Sequence, residues 1–391
     1  MLRKILFWTH LACGVAAGLV ILMMSVTGVV LTYERQMLDW AERSMHATPP
    51  PDAEPRPLLA LVAAVRQHDP GFAATSVTVE NDPTAPATVG AGRAGSLYVD
   101  RYTGRVLGEG AEGVREFFGA MTGWHRWFNA SGESRGVARA ITGASNLAFL
   151  FLILSGMYLW LPRVYKWAAF RTRLFFNAKA TGGKARDFNW HHVFGIWSAV
   201  PLAIVVATAA VFSYGWANDL VYRSFGEEPP ARGRGRGGPP PGEGSDGEGA
   251  IGEAIVEQRL SLDDLLALAA MHVEDWNRIT VQLPPDDATE VGFTIDQGNG
   301  GQPQHRHTLV LDGATGKVEE WQPFDSQTPG RRARSIVRFL HTGEVLGIAG
   351  QTIAGLVSLT SVIMVWTGLA LAWRRLIVPL FASRRNANLE A

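Results

Sequence analysis

The sequence predicts an α-helical membrane bundle of four transmembrane helices, built as a duplicated unit, with two small α+β domains on one side of the bilayer. Three observations predict this. Apolar residues gather in four runs, each close to the length of about 20 residues that a bilayer span needs. Two of the runs repeat one residue pattern without a gap. The two long polar segments between runs share one order of elements, an amphipathic helix followed by short alternating strands.

Composition narrows the function classes. Of 391 residues, 47% are hydrophobic and 18% charged, with 36 Lys+Arg against 36 Asp+Glu. That balance argues against a nucleic-acid partner and against a chain disordered throughout. The single cysteine, Cys13, leaves no internal disulfide, no Cys-rich zinc site and no iron–sulfur cluster ligated by this chain alone. A buried cofactor therefore has to be held by other residue types.

Taken in order, residues 1–33 form transmembrane helix 1 around the apolar run 11–33. That run is long for a signal peptide and no small-x-small cleavage site follows it directly, so it is read as an anchor. Residues 34–135 form the first α+β domain, with a helix near 57–68 and strands around 76–80 and 96–100. Residues 136–162 hold helix 2, and 163–190 form a basic loop with Arg163, Lys166, Arg171, Arg173, Lys179, Lys184 and Arg186 against the lone acid Asp187. Residues 191–216 are helix 3. The second α+β domain spans 217–340, where Ser261-Leu-Asp-Asp264 resembles a capping box opening a helix to about His272. Strands are expected at 278–283, 291–296 and 307–312. Within it, 227–249 is rich in Pro, Gly and charge and reads as a disordered linker. Helix 4 lies in 341–374, before a tail at 375–391. Trp160, Trp216 and Trp373 end their runs as interfacial anchors. Arg3, Lys4, the basic loop, Arg374 and Arg375 mark the cytoplasmic side, so both domains face the periplasm of a bacterial inner membrane.

The repeat is specific. From His10, Gly14 lies at +4, Thr27 at +17, Val30 at +20 and Tyr33 at +23; from His191, Gly195, Thr208, Val211 and Tyr214 keep the same offsets. Leu97–Val106 matches Leu309–Val318 through a shared Asp-x-x-Thr-Gly turn. Each copy then reaches a histidine ahead of its next apolar run, His125 and His341.

Histidines at the mouths of membrane helices are costly unless they serve a function. His10 and His191 (or its neighbour His192) fall towards one side, His125 and His341 towards the other. Two and two is the set that bis-histidine haem ligation needs, with small residues where the ring approaches the backbone. Gly14 and Gly195 sit one turn after His10 and His191. Only His191, not His192, keeps the offsets of the first copy. Gly14 with Gly18, and Gly343, Gly347 and Gly355, read as small-residue packing faces. A lone interfacial histidine is usually a snorkelling polar residue, and the repeat is what favours ligation here. His46 and His68 read as surface residues and His272 as a helix end, while His305 and His307 sit on alternate positions that could take a metal in passing. No nucleophile triad or carboxylate pair is visible, so no catalytic side chain is expected.

These residues resemble the PepSY-associated transmembrane proteins of bacterial inner membranes over nearly the whole chain. The resemblance rests on Trp8-Thr-His10-Leu-Ala-Cys-Gly14 with Thr27-Gly28, on Ser155-Gly156-Met-Tyr-Leu-Trp160-Leu-Pro162, and on Phe188-Asn-Trp-His191-His-Val-Phe-Gly195 leading to Ser213-Tyr-Gly-Trp216-Ala-Asn218. The paired Asp-x-x-Thr-Gly turns resemble the small PepSY fold. Thr208-Ala209 departs from the usual Thr-Gly of the third helix, and the linker is unusually long. The resemblance implies PepSY-like periplasmic domains and two haem b groups with His10, His191, His125 and His341 as axial ligands. It also implies an inner-membrane oxidoreductase that carries electrons outward and releases Fe(II) from a ferric siderophore or other ferric chelate. Arg126 and Arg338 are then expected to hold haem propionates, and Arg331, Arg332 and Arg334 an anionic chelate, with contact to lipid phosphates as their simpler role. No Rossmann or flavin motif is visible, so the electron donor is expected to be a quinol or a separate reductase. The alternative is a haem-free membrane sensor or an assembly or inhibitor protein that binds partners through its PepSY domains. An iron-chelate permease fits less well, for want of a broken-helix signature.

Overall fold

The computed structural model describes residues 1–230, 260–285 and 287–379. Most of the linker expected at 227–249, and of the tail expected at 375–391, lies outside the described residues. In chain order the first half contains α1 (Leu2–Leu31), α2 (Glu34–Glu42), α3 (Leu58–His68), β1 (Ser76–Glu80), β2 (Ala87–Gly90), β3 (Ser96–Val99), β4 (Val106–Gly108), α4 (Glu112–Trp127) and α5 (Ser134–Trp160). After α6 (Trp167–Leu174), the second half contains α7 (Gly183–Ser213), α8 (Gly215–Arg223), α9 (Leu262–His272), β5 (Arg278–Gln282), β6 (Glu290–Asp296), β7 (Arg306–Asp312), β8 (Val318–Gln322), α10 (Pro329–Thr342) and α11 (Gly347–Leu376). These form two compact units, one from Met1–Glu34, Glu116–Ser224 and Val337 onward, the other from Arg35–Arg115 and Phe225–Ile336.

In the helical unit, the helices around α1, α5, α7 and α11 are long and apolar enough to cross a membrane. Helix α1 packs on α5 and α11, and α7 packs on the same two, so α1 and α7 occupy one diagonal of the bundle and α5 and α11 the other. Apolar side chains alone would not select neighbours in lipid, and polar contacts between helices supply specificity. Ser25 and Ser361 share a 2.8 Å hydroxyl contact, Asn146 donates to the Val206 carbonyl at 3.0 Å, and Gln351 donates to the Thr32 carbonyl at 3.1 Å. At one end of α7, Asp187 is only 2% exposed and receives Arg374 of α11 at 2.5 Å and Arg186 at 3.1 Å.

Two amphipathic helices complete this unit. Helix α4 carries His125 in its last turn and α10 carries His341 in its last turn. The chain leaves α4 through Phe128 and Asn129, both left-handed (φ 55° and 54°), and the Asn129 amide donates back to the Gly123 carbonyl at 3.0 Å. It leaves α10 through Gly343 (φ 79°) and enters α11 at Gly347 (φ 64°). These two glycines therefore shape a loop and do not form the helical packing face that their spacing suggests. Gly355 does lie on a helix face, where a methyl group would come within 2.8 Å of the Thr32 side chain. Gly18 likewise admits Leu369.

The other unit is a single antiparallel sheet of eight strands in the order β4-β3-β2-β1-β5-β6-β7-β8. The two α+β segments thus do not stand apart as two domains. Strand β1 pairs with β5 along its whole length, Val77 opposite Val281, Thr78 opposite Thr280 and Val79 opposite Ile279. The physical reason is an edge. A four-stranded half would leave β1 or β5 with a row of unpaired backbone groups, and pairing the halves removes both edges at once. Val77, Val79, Ile279 and Val281 point to one face and are buried with Leu61, Val65, Leu265 and Phe293, so α3 and α9 share one core. On the opposite face the Thr78 and Thr280 hydroxyls meet at 2.8 Å.

The order is symmetric about this junction, down to matched irregularities. The register shifts between Tyr98 and Val99 in one half and between Val310 and Leu311 in the other. In each Asp-x-x-Thr-Gly turn the aspartate accepts backbone amides, Asp100 from Tyr102 and Thr103 and Asp312 from Ala314 and Thr315. Gly104 (φ 76°) and Gly316 (φ 70°) close the turns in the left-handed region that favours glycine. Ser261 and Asp264 form the expected capping box at the start of α9. Glu42 of α2 binds both Arg115 and the Tyr98 hydroxyl; burial, then the Glu42 charge, pushes the Tyr98 phenol up to about 12.

Asp187 supplies the test of the bundle's packing. The Asp187→Ala variant leaves Arg374 without its carboxylate, at a cost of about 2 kcal/mol after allowing for the partial exposure of that arginine. Thermal unfolding of the purified protein in detergent should shift down by several degrees.

Candidate functional site

Each of the four singled-out histidines rests on a Ser/Thr-Gly or Ser/Thr-Ala step of another helix. His10 of α1 places Nδ1 at 2.9 Å from the Ser155 hydroxyl of α5. His191 of α7 places Nδ1 at 3.1 Å from both the Met364 carbonyl and the Thr367 hydroxyl of α11. His125 of α4 places Nδ1 at 2.9 Å from the Thr27 hydroxyl of α1. His341 of α10 places Nδ1 at 2.8 Å from the Val205 carbonyl and 3.4 Å from the Thr208 hydroxyl of α7.

Glycines lie under three of the rings, and an added methyl group would be tightest at Gly368 and close to ordinary contact at the other two. A methyl group at Gly156, Gly368 or Gly28 would stand 3.4, 3.3 or 3.5 Å from Cε1 of His10, His191 or His125. The fourth step carries Ala209 where the others have glycine, and there the shorter bond runs to a backbone carbonyl, one turn earlier on the helix.

The hydrogen bonds fix the proton on each ring. Carbonyl oxygens only accept, so His191 and His341 carry hydrogen on Nδ1. Ser155 already donates to the Phe151 carbonyl at 2.7 Å and Thr27 to the Met23 carbonyl at 2.8 Å, so each accepts from its histidine. All four rings therefore donate from Nδ1 and keep the lone pair on Nε2, the form in which imidazole ligates a metal. His192 also donates from Nδ1, but to Phe188 of its own helix at 2.8 Å, and it stacks on the Phe188 ring. It has no seat on a neighbour, which separates it from His191.

The histidines form two levels. His125 and His341 face each other with ring centroids 6.3 Å apart. His10 and His191 stand within electrostatic reach of each other, on the diagonal pair α1 and α7. Seventeen residues separate His10 from Thr27, and His191 from Thr208, which is about 25 Å of helix between levels. Among the described residues no three His, Cys, Asp or Glu side chains converge as a metal site.

The arginines divide. Arg126 lies within electrostatic reach of Arg338 and also of Arg135 and Arg139 of α5. Arg331, Arg332 and Arg334 lie on the first turns of α10, the part of that helix that groups with the sheet unit. There Arg332 pairs with Asp325 at 3.2 Å, and Arg334 is also engaged. Three of the remaining histidines have local partners. His46 contacts Thr84 at 3.0 Å, so it is not the unpartnered surface residue that the sequence suggests. His307 contacts Gln297 at 2.9 Å and stacks on Trp321, which His272 meets edge-on.

The seats themselves are what sequence reasoning missed. Thr27-Gly28 and Ser155-Gly156 are prominent in the sequence, yet nothing local says that a histidine will lie on them. Thr367-Gly368 repeats the dipeptide in the last apolar run and was the available signal.

The PepSY-associated TM region, as that family is described, matches residues 7–375. No curated protein matches the chain. The family match takes in all four long apolar helices, the eight strands and every histidine seat, and the chain belongs to the PepSY-associated transmembrane family.

Proposed function

We propose that this protein carries electrons across a bacterial inner membrane through two haem b groups, reducing a ferric siderophore or ferric chelate on the periplasmic side and releasing Fe(II). The observation that carries the reading is the pair His125 and His341, whose ring centroids lie 6.3 Å apart and whose Nδ1 atoms each donate to another helix. That leaves Nε2 of both rings with the lone pair that would hold a haem iron.

Ligand number supports the same conclusion. A bare structural ion takes about four protein ligands, and each level offers two. A haem would need only two ligands from the protein, which His125 and His341 would supply at one level and His10 and His191 at the other. When bound, haem supplies a one-electron Fe(III)/Fe(II) couple. The protein's share is to orient the imidazoles, to raise their basicity through the Nδ1–H bonds, and to exclude water by packing the four apolar helices around them. The two levels divide the membrane crossing into shorter steps. His10 and His191 serve the cytoplasmic level and His125 and His341 the periplasmic one, with the side assigned by the Lys and Arg bias. Electrons enter from a quinol or a separate reductase. Arg126 and Arg338 stand where carboxylates of the outer haem can be paired.

Three outcomes test this reading. Alanine at His10, His191, His125 or His341 should each remove one of two haems per chain, measured as haem per protein after purification, whereas His192→Ala should keep both. Full occupancy in the His341→Ala variant would overturn the ligand assignment, and a wild-type protein purified without any haem would favour the haem-free binding protein.

Weakening a seat should have a graded effect. Ser155→Ala and Thr27→Val should lose haem to a competing apo-protein roughly 10-fold faster, and Thr367→Val less so, because His191 keeps the Met364 carbonyl at 3.1 Å. Thr208→Val should change little, because His341 keeps its shorter bond to Val205.

The series arrangement makes a kinetic prediction. With the cytoplasmic haem removed through His10→Ala, reduction of a periplasmic chelate from a cytoplasmic or quinol donor should fall to background. A normal rate in stopped-flow measurements would contradict it.

A further inference from the structure

Four arginines converge at the end of the helical unit that carries His125 and His341. Arg126 is the residue after His125, and Arg338 lies one turn before His341. Arg135 and Arg139 stand in the first two turns of α5, and Arg126 lies within electrostatic reach of all three others. Two of the guanidiniums share one aromatic ring, Arg135 at 4.0 Å and Arg126 at 4.7 Å from the Trp127 centroid. The Thr142 hydroxyl fixes this corner by donating to the Arg126 carbonyl at 2.8 Å.

By the ordinary rules of charge placement this arrangement is unfavourable three times over. Arg135 and Arg139 are like charges four residues apart on one helix face. They occupy the positive end of a helix dipole, in a first turn without an acidic residue. Arg126 adds a third positive charge across the α4–α5 corner. Among the described residues none of the four forms an ion pair with a carboxylate. Acid partners are common elsewhere in the chain, as at Arg374, Arg278, Arg115 and Arg332. A set of guanidinium forks at a helix N-terminus, left without acids, is a site for an oxyanion.

We propose that Arg135, held over the Trp127 ring, and Arg139, one turn further along α5, bind the carboxylates of an anionic ferric chelate beside the outer histidine pair. This rests on the electron-transfer reading above and places its substrate site at the first turns of α5 instead of at Arg331, Arg332 and Arg334, of which Arg332 already pairs with Asp325 and Arg334 is also engaged. Arg126 and Arg338 then face the cofactor and Arg135 and Arg139 the substrate, so the protein should prefer multiply charged carboxylate chelates over neutral hydroxamate ones.

The test separates binding from redox. Gallium citrate, a redox-inert mimic of ferric citrate, is titrated against the full-length protein in zwitterionic nanodiscs, with Trp fluorescence as the readout. Saturable binding is expected, weakened at least about 10-fold in the Arg135→Gln/Arg139→Gln variant, with haem content and melting temperature unchanged. Should that variant fold poorly, the wild-type protein decides. Its gallium citrate affinity should fall steeply with added salt, and a neutral gallium hydroxamate should show no such dependence. Absence of saturable binding, or equal binding by the variant, overturns the proposal whether or not the protein reduces iron. Binding that disappears in phosphatidylglycerol nanodiscs also overturns it, because a lipid phosphate is then the occupant. If binding behaves as expected but ferric citrate is not reduced, the site stands and the electron-transfer reading fails.

Discussion

The helical unit depends on one interaction repeated four times, an imidazole Nδ1–H donated to an oxygen of another helix. Ser155 and Thr27 act as acceptors only because each has already given its own hydrogen to a carbonyl one turn back. That internal bond turns an ambivalent hydroxyl into an acceptor and so decides which ring nitrogen keeps its lone pair. Glycine follows the hydroxyl at three of the four seats, and its cost inside a helix is small where surrounding helices hold the backbone in place. The seats also tie each histidine's helix to a neighbour. His10 joins α1 to α5, His191 joins α7 to α11, and the two short helices are tied back onto α1 and α7.

The sheet unit obeys a different constraint, the cost of unpaired strand edges. Two four-stranded halves, separated in the chain by two membrane crossings, resolve it by pairing β1 with β5. Equivalent bulges and equivalent aspartate turns in the two halves show that the same local chemistry is used twice. The outermost strands, β4 and β8, remain as edges. Strand β4 is short, with 3 residues, and β8 carries the charged Glu319 and Glu320, both ways in which natural edge strands are protected.

Much of this was legible in the sequence, for physical reasons that also explain the gaps. The apolar runs are long and the capping box at Ser261 is local, so both could be read directly. Strands β1 and β5 alternate in polarity and were also readable. Strand β2, Ala87-Thr-Val-Gly90, is short and lacks bulky residues, and it escaped notice. The β1–β5 junction joins residues about two hundred positions apart, such as Val77 and Val281, and no periodicity encodes a partner at that distance. Gly343, Gly347 and Gly355 share a helical spacing, but only the φ angles reveal that the first two turn the chain. The histidines were visible because they repeat. Their seats were not, because a Thr-Gly step looks the same whether or not an imidazole lies across it. The arginines behaved likewise: Arg331, Arg332 and Arg334 are adjacent in sequence to His341, yet Arg135 and Arg139 share its unit.

The central claim is that two pairs of imidazoles, each presenting Nε2, ligate two haems. Low-temperature electron paramagnetic resonance of the oxidised full-length protein, purified from cells supplied with haem, tests it most directly. The account predicts two distinct low-spin ferric signals of bis-imidazole type at two haems per chain, both lost on reduction. A protein that carries no haem under those conditions, or one that gives only a high-spin five-coordinate signal, would contradict it.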